Sequence, residues 1–123
     1  MQPIFTLPMV VRDYECDIQG IVNNAVYQHY NEHCRSCFIA SLGIEFADLH
    51  ERGIDVVVAQ LNMRFKTSLR PGDKFEVRLA LEKQGLRYVF HQDIVRLADE
   101  KRALKDSSYQ KEVLSLHAQT DIV

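Results

Sequence analysis

The chain has no tryptophan, and only three cysteines, three prolines and five glycines in 123 residues. There is no internal repeat and no low-complexity tract, which excludes repeat and disordered classes. The cysteines, Cys16, Cys34 and Cys37, are odd in number and give no disulfide framework, so reduced thiols are expected. No stretch reaches the ~18 consecutive apolar residues of a membrane span. Basic residues form no long run and the formal net charge is -2, so nothing draws the whole chain to nucleic acid or an anionic membrane. Any basic site must be local. The opening stretch MQPIFTLPMVVRDYE lacks a basic region and is interrupted by Pro3 and Pro8, so it does not read as a signal peptide. The expectation is a soluble cytoplasmic protein with neither nucleic acid nor membrane as partner.

What is present is the material of a globular core. Hydrophobic residues make up 46% and charged residues 26%, an ordinary balance for one compact domain over residues 1–123. Val57–Leu69 alternates, with Val57, Ala59, Leu61, Met63 and Phe65 on one face and Val58, Gln60, Asn62, Arg64 and Lys66 on the other, which predicts a long strand. Phe75–Glu82 alternates likewise. Leu86–Leu97, rich in aromatic and β-branched residues, and Leu114–Ile122 predict two more strands. Pro71-Gly72-Asp73 and Gln84-Gly85 mark turns, and the short connections predict that the first three of these strands form an antiparallel meander. An earlier strand is expected over about Thr6–Asp13.

Between that strand and the others the period changes. Tyr27, Tyr30, Cys34, Cys37, Phe38 and Ser41 fall at three- and four-residue steps, which predicts a long helix. Asn23 or Asn24 suits its N-cap, and Gly43 the position just past its end. A shorter helix is expected over about Glu45–Arg52, stopping at Gly53. One antiparallel sheet of about five strands around one long helix, an α+β arrangement, buries all these apolar faces.

The start of the long helix carries the functional signal. Asp17, Gly20, Val22, Tyr27 and Arg35 spell D-x-x-G-x-V, then a tyrosine, then an arginine eight residues on. With the strand order behind it, this pattern resembles the hot-dog-fold thioesterases of the 4-hydroxybenzoyl-CoA thioesterase type. Asn23-Asn24 before Ala25-Val26-Tyr27 also resembles the acyl-carrier-protein thioesterases. The resemblance implies hydrolysis of acyl-CoA thioesters, with acyl-carrier-protein thioesters or non-catalytic acyl binding as the alternatives. It implies a homodimer that assembles further to a tetramer, with the active site between subunits and no metal or organic cofactor. It makes Asp17 the catalytic carboxylate. Relatives often carry a histidine at the place of Asn24, so a histidine-assisted version of the chemistry is not expected here. The G-D-x-N-P-x-H element of hot-dog hydratases is absent.

The chemistry agrees with that assignment. A helix N-terminus exposes unpaired N–H groups and partial positive charge, which can hold a thioester oxygen as it becomes an oxyanion. A carboxylate folded over that end through Gly20 can attack the carbonyl or take a proton from water. Asn24 is a candidate to orient the carbonyl or the water, or to serve as a plain cap. Gly20 permits a tight turn, and Val22 and Tyr27 are candidates to line the acyl site. Asn62, Arg64, Lys83 and Arg87 are candidates to meet coenzyme A, whose phosphates suit basic side chains; a solvated strand face is the alternative for each.

Two other motifs occupy the same helix. His29-x-x-Glu32-His33 fits an inverted zinc-protease pattern, but the strands that follow supply no third helical ligand. Cys34-x-x-Cys37 fits C-x-x-C, yet it falls on the apolar stripe in mid-helix, where core packing accounts for it.

Overall fold

The computed structural model describes residues 2–54, 57–85, 87–97 and 113–122. In chain order the elements are β1 (Phe5–Val10), a 3₁₀ turn (Asp13–Glu15), α1 (Asn24–Ser41), α2 (Phe46–Glu51), β2 (Val58–Phe65), β3 (Lys74–Gln84), β4 (Arg87–Arg96) and β5 (Val113–Ile122). Five strands form one antiparallel sheet in the order β1-β3-β4-β5-β2. The expected α+β arrangement is present, with α1 packed on one face of the sheet.

α1 forms where its caps and its stripe agree. Asn23 is the N-cap, and its side-chain oxygen accepts a hydrogen bond from the Ala25 N–H at 2.9 Å. The helix ends at Leu42, and Gly43 follows with φ +77°, the left-handed turn that glycine adopts without strain. Tyr27, Tyr30, Asn31, Cys34 and Phe38 are its buried residues. Of these, Tyr27, Tyr30, Cys34 and Phe38 share one core with Phe75, Val77 and Leu79 of β3, Phe90 and Ile94 of β4 and Ala118 of β5. The Tyr30 and Phe75 rings lie 4.7 Å apart, and Phe38 stands edge-on to both Phe5 (5.6 Å) and Phe90 (6.3 Å). Each such fully buried side chain contributes on the order of 1.5–3 kcal/mol of hydrophobic stabilisation. Of the C-x-x-C pair, Cys34 is fully buried and Cys37 half-buried, and both are free thiols.

The expected meander is corrected in one respect. β3 and β4 form a hairpin and β5 continues it, but β2 pairs with β5 at the far edge and not with β3. The predicted strand also ends early, at Phe65 rather than Leu69. The connection explains both departures. Leu69 is fully buried, its N–H donates to the Tyr27 hydroxyl oxygen at 2.9 Å, and its carbonyl accepts from the Val22 N–H at 2.9 Å. Residues 66–73 are therefore tied to the start of α1. The chain leaves one edge of the sheet there and enters beside β1. Pro8 is tolerated in β1 because that strand is also an edge, where no second ladder needs its missing N–H.

Candidate active site

The loop before α1 is built around Asp17. Cys16 and Val22 form an isolated antiparallel bridge, so the chain between them folds as a tight hairpin. The Asp17 N–H donates to the Ile21 carbonyl at 2.9 Å, and the Gly20 N–H donates to the Asp17 carbonyl at 3.0 Å. Gly20 has φ +75°, which excludes an unstrained side chain there. The carboxylate is pinned within this turn, where its Oδ1 accepts from the Gln19 N–H at 2.9 Å. Its Oδ2 has no hydrogen-bond partner among the described residues. Ile18, next to it, is fully exposed.

The helix start beside this loop keeps one donor open. The Val22 N–H is bound by Leu69, the Asn23 N–H by the Glu15 carbonyl, the Ala25 N–H by the Asn23 side chain and the Val26 N–H by the Asn23 carbonyl. Among the described residues the N–H of Asn24, the first residue of α1, has no such partner. The cap left open between the two asparagines is thus Asn23. Asn24 is exposed and its side chain makes no hydrogen bond among the described residues.

The other candidate residues divide by face. Val22 and Tyr27 are core residues, and the Tyr27 hydroxyl is engaged by Leu69. Asn62 and Arg64 are exposed on β2, on the face opposite Leu61 and Met63. Lys83 is exposed and pairs across the hairpin with Tyr88, its ammonium 5.8 Å from the ring centroid. Arg87 is exposed beside the β3–β4 turn. Among the described residues none of these side chains hydrogen-bonds or ion-pairs with Asp17.

A cavity of about 740 Å³ lies between α1, α2 and the strands β2 to β5. It begins on the helix at Gln28 and runs to Leu42, so it opens one turn past the helix start. Its wall is mainly apolar, from Phe38, Ile39 and Leu42 of α1, Phe46 and Leu49 of α2, Leu61 of β2, Leu81 of β3 and Phe90 of β4. Asp17 is not among its lining residues. Gln28, Glu32, Arg35, Ser36 and Thr120 are the polar ones. Arg35 NH1 donates to Gln92 Oε1 at 3.0 Å and to Thr120 Oγ1 at 3.4 Å, and Gln92 Nε2 donates to the Asn31 carbonyl at 2.9 Å. Burial lowers the Arg35 pKa, and the charge of Glu32 opposes that shift. The Asn31 side-chain amide is buried with neither its oxygen nor its nitrogen bonded among the described residues.

This polar island was largely missed in the sequence. Its one signal is Gln92, which interrupts the inward-facing series Phe90, Gln92, Ile94 of β4. The two histidines of the H-x-x-E-H motif are both exposed; His33 Nε2 lies 3.7 Å from Cys37 Sγ, while Glu32 lines the cavity. Among the described residues no three metal-ligating side chains cluster.

Comparison with known proteins places the chain among thioesterases. The family model described as the thioesterase superfamily matches residues 19–102. Two chloroplastic acyl-acyl carrier protein thioesterases of Arabidopsis thaliana are each 35% identical to it, over 85% and 80% of this chain. The chain spans about half the length of these curated relatives, 56% and 53% of them. Among solved structures, the DHNA-CoA thioesterase of Staphylococcus aureus is 26% identical, with TM-score 0.76 over 96% of this chain and 71% of its own. A hypothetical protein of Aquifex aeolicus is also 26% identical, with TM-score 0.77 over 97% of this chain and 88% of its own. A variant of 4-hydroxybenzoyl-CoA thioesterase, complexed with 4-hydroxybenzoyl-CoA, superimposes with TM-score 0.80 over 97% of this chain and 81% of its own. At 16% identity that last likeness speaks to the fold alone, which is the hot-dog fold.

Proposed function

We propose that this chain, which belongs to the thioesterase superfamily, hydrolyses acyl thioesters, and acyl-CoA thioesters in the first place. The observation that carries the reading is the pairing of a fixed carboxylate with an open backbone donor. Asp17 is held by its own turn with Oδ2 unengaged, and the Asn24 N–H is the one first-turn donor left without a partner among the described residues. In the reaction the Asn24 N–H receives the thioester oxygen as negative charge develops on it. Asp17 acts either on water, taking its proton as it attacks the carbonyl carbon, or on that carbon directly. In the first case the carbon–sulfur bond breaks, the thiolate takes up the proton and the free acid is left. In the second, the carbon–sulfur bond breaks as the carboxylate adds, the thiolate leaves, and water then hydrolyses the mixed anhydride to the free acid and the Asp17 carboxylate, its proton going to the thiolate. Neither route requires a metal or organic cofactor.

The apolar cavity one turn beyond this centre is the natural receptacle for an acyl chain. Lys83, exposed beside Tyr88 on the β3–β4 hairpin, remains a candidate for a coenzyme A phosphate, which in this reading would belong to a thioester bound at the partner subunit's centre. A carrier-protein thioester is the second reading, favoured by the two plant relatives that carry that activity in their names. The working form in this proposal is a homodimer that assembles into a tetramer, so that a partner subunit completes what Asp17 and the cavity do not share within one chain.

The deciding experiment is a panel of short, long and aromatic acyl-CoAs, together with acyl-carrier-protein thioesters, with free thiol release as the readout. Turnover of acyl-CoA that disappears in Asp17→Asn supports the reading. Turnover confined to carrier-protein thioesters transfers it to the second reading, and none on either refutes both.

A further inference from the structure

The cavity wall is mainly apolar, and among the described polar residues that line it Arg35 is the one cation, turned toward β4 and β5. Both oxygens that Arg35 binds are neutral, and Gln92 and Thr120, which supply them, are fully buried. Only NH1 is used in these contacts. Nε and NH2 have no hydrogen-bond partner among the described residues, and neither is sealed off by protein. The guanidinium has no ion pair among the described residues. Glu32, three residues earlier, lines the same cavity. These donors open into the cavity, where water accepts from them until a ligand oxygen takes its place.

We propose that Arg35 is a specificity-determining residue that receives an oxygen carried by the acyl chain, a hydroxyl or keto group far from the thioester. Two features narrow the ligand. First, Glu32, exposed on the cavity wall, already offsets part of the Arg35 charge, so a second anion would meet a like charge there, whereas a neutral oxygen is accepted without that repulsion. Second, Arg35 stands eleven residues beyond Asn24 on α1 (35 − 24), about 16 Å along a helix that rises about 1.5 Å per residue. An oxygen next to the thioester does not reach it. The proposal rests on the thioesterase reading, with the reacting carbon at the helix start.

The test uses the full chain and four acyl-CoAs of one length: dodecanoyl-CoA, 3-hydroxydodecanoyl-CoA, 11-hydroxydodecanoyl-CoA and dodecanedioyl-CoA. The distal hydroxyl should raise kcat/KM about tenfold over dodecanoyl-CoA, in the range expected when a buried polar group is satisfied rather than left unpaired. The 3-hydroxyl and the terminal carboxylate should not. In Arg35→Gln that ratio should fall to about one, whatever happens to the absolute rates. A variant that only loosened the fold would lower all four together. If Arg35→Gln does not fold, as judged by circular dichroism, Arg35→Lys keeps the charge without the planar fork and should still reduce the ratio. Equal rates in wild type, preference for the 3-hydroxyl, or a ratio unchanged in the variants overturns the proposal. If no thioester is hydrolysed, the thioesterase reading fails by itself. Calorimetric binding of S-dodecyl-CoA and S-(11-hydroxydodecyl)-CoA to wild type and variant then decides Arg35 separately. Equal affinities would reject it.

Discussion

At the scale of residues, the proposed centre depends on one side chain and one backbone N–H, and each can be removed alone. Asp17→Asn keeps the shape of the turn and removes the nucleophile or base. It should lower kcat by ~10²–10⁴-fold with KM far less affected, measured by steady-state thiol release. A variant within about threefold of wild type, under ~0.7 kcal/mol of barrier, would take Asp17 out of the mechanism and leave Glu32, already in the cavity wall, as the next carboxylate. The N–H is removed by Asn24→Pro. Proline suits the first helical position, where an N–H has no intrahelical partner. Asn23, with φ -64° and ψ 142°, already has the extended backbone that a following proline demands. The expected loss is ~10²–10³-fold in kcat with the helix intact, the range seen for one oxyanion donor. Asn24→Ala, which keeps the N–H, should cost no more than ~10-fold. Thiol chemistry gives an independent check. Cys34 is fully buried and its pKa is pushed up to about 11 by that burial, so near neutral pH it stays an unreactive thiol. A thiol reagent at mild pH should leave Cys34 unmodified in the native chain and reach it only on unfolding. Rapid labelling of Cys34 in the folded protein would contradict the packing described.

At the scale of elements, local chemistry set some boundaries and long-range ties set others. α1 was legible because its N-cap, its stripe and Gly43 all agree within one stretch of sequence. The strand faces were legible for the same reason, since alternation is local, except at the start of β2, where a register shift between Val58 and Gln60 lets Val58 line the cavity together with Leu61. The neighbour of β2 was not. It depends on where residues 66–73 travel, and that is fixed by Leu69 bonding to Tyr27 and Val22, contacts 42 and 47 residues apart (69 − 27 and 69 − 22). The site divided in the same way. Asp17, Gly20 and the helix start lie within one readable motif. The cavity's polar wall joins Arg35 to Gln92 and Thr120, 57 and 85 residues away, which no spacing pattern shows. The tie at Leu69 can be measured. Tyr27→Phe leaves the ring in place but strips the buried Leu69 N–H of its acceptor. It should lower stability by about 1–3 kcal/mol in denaturant unfolding, since the cost of an orphaned buried donor exceeds the net worth of the bond. A loss below about 0.5 kcal/mol, smaller than an ordinary hydrogen bond, would mean the crossover is held by something else.

At the scale of the molecule, the sheet has two edges and they are not alike. β1 is interrupted by Pro8, which discourages a further strand. β2 has no proline, and along it Val58 and Phe65 are about half exposed, with Val57 beside it more so. An edge strand with apolar side chains in solvent, even one whose register shifts between Val58 and Gln60, is an aggregation hazard unless it is covered. A second copy paired along β2 would cover it and place two cavities side by side, since Val58 and Leu61 both line the cavity. It would also offer the Asp17 loop, with its bare Ile18, an apolar surface to meet. The expected result is that the chain, 14.3 kDa alone, runs at no less than twice that mass in light scattering at micromolar concentration. Val58→Lys, a charge set into the edge, should shift it toward the monomer and lower thiol release with it, while circular dichroism stays that of the wild type. A wild-type monomer that still hydrolyses acyl-CoA would show that the centre is complete in one chain. A Val58→Lys protein that remains dimeric at the same concentration would place the contact elsewhere, with the outer face of the sheet, where Glu76 pairs with Arg78 and Glu82 with His91, as the next surface to probe.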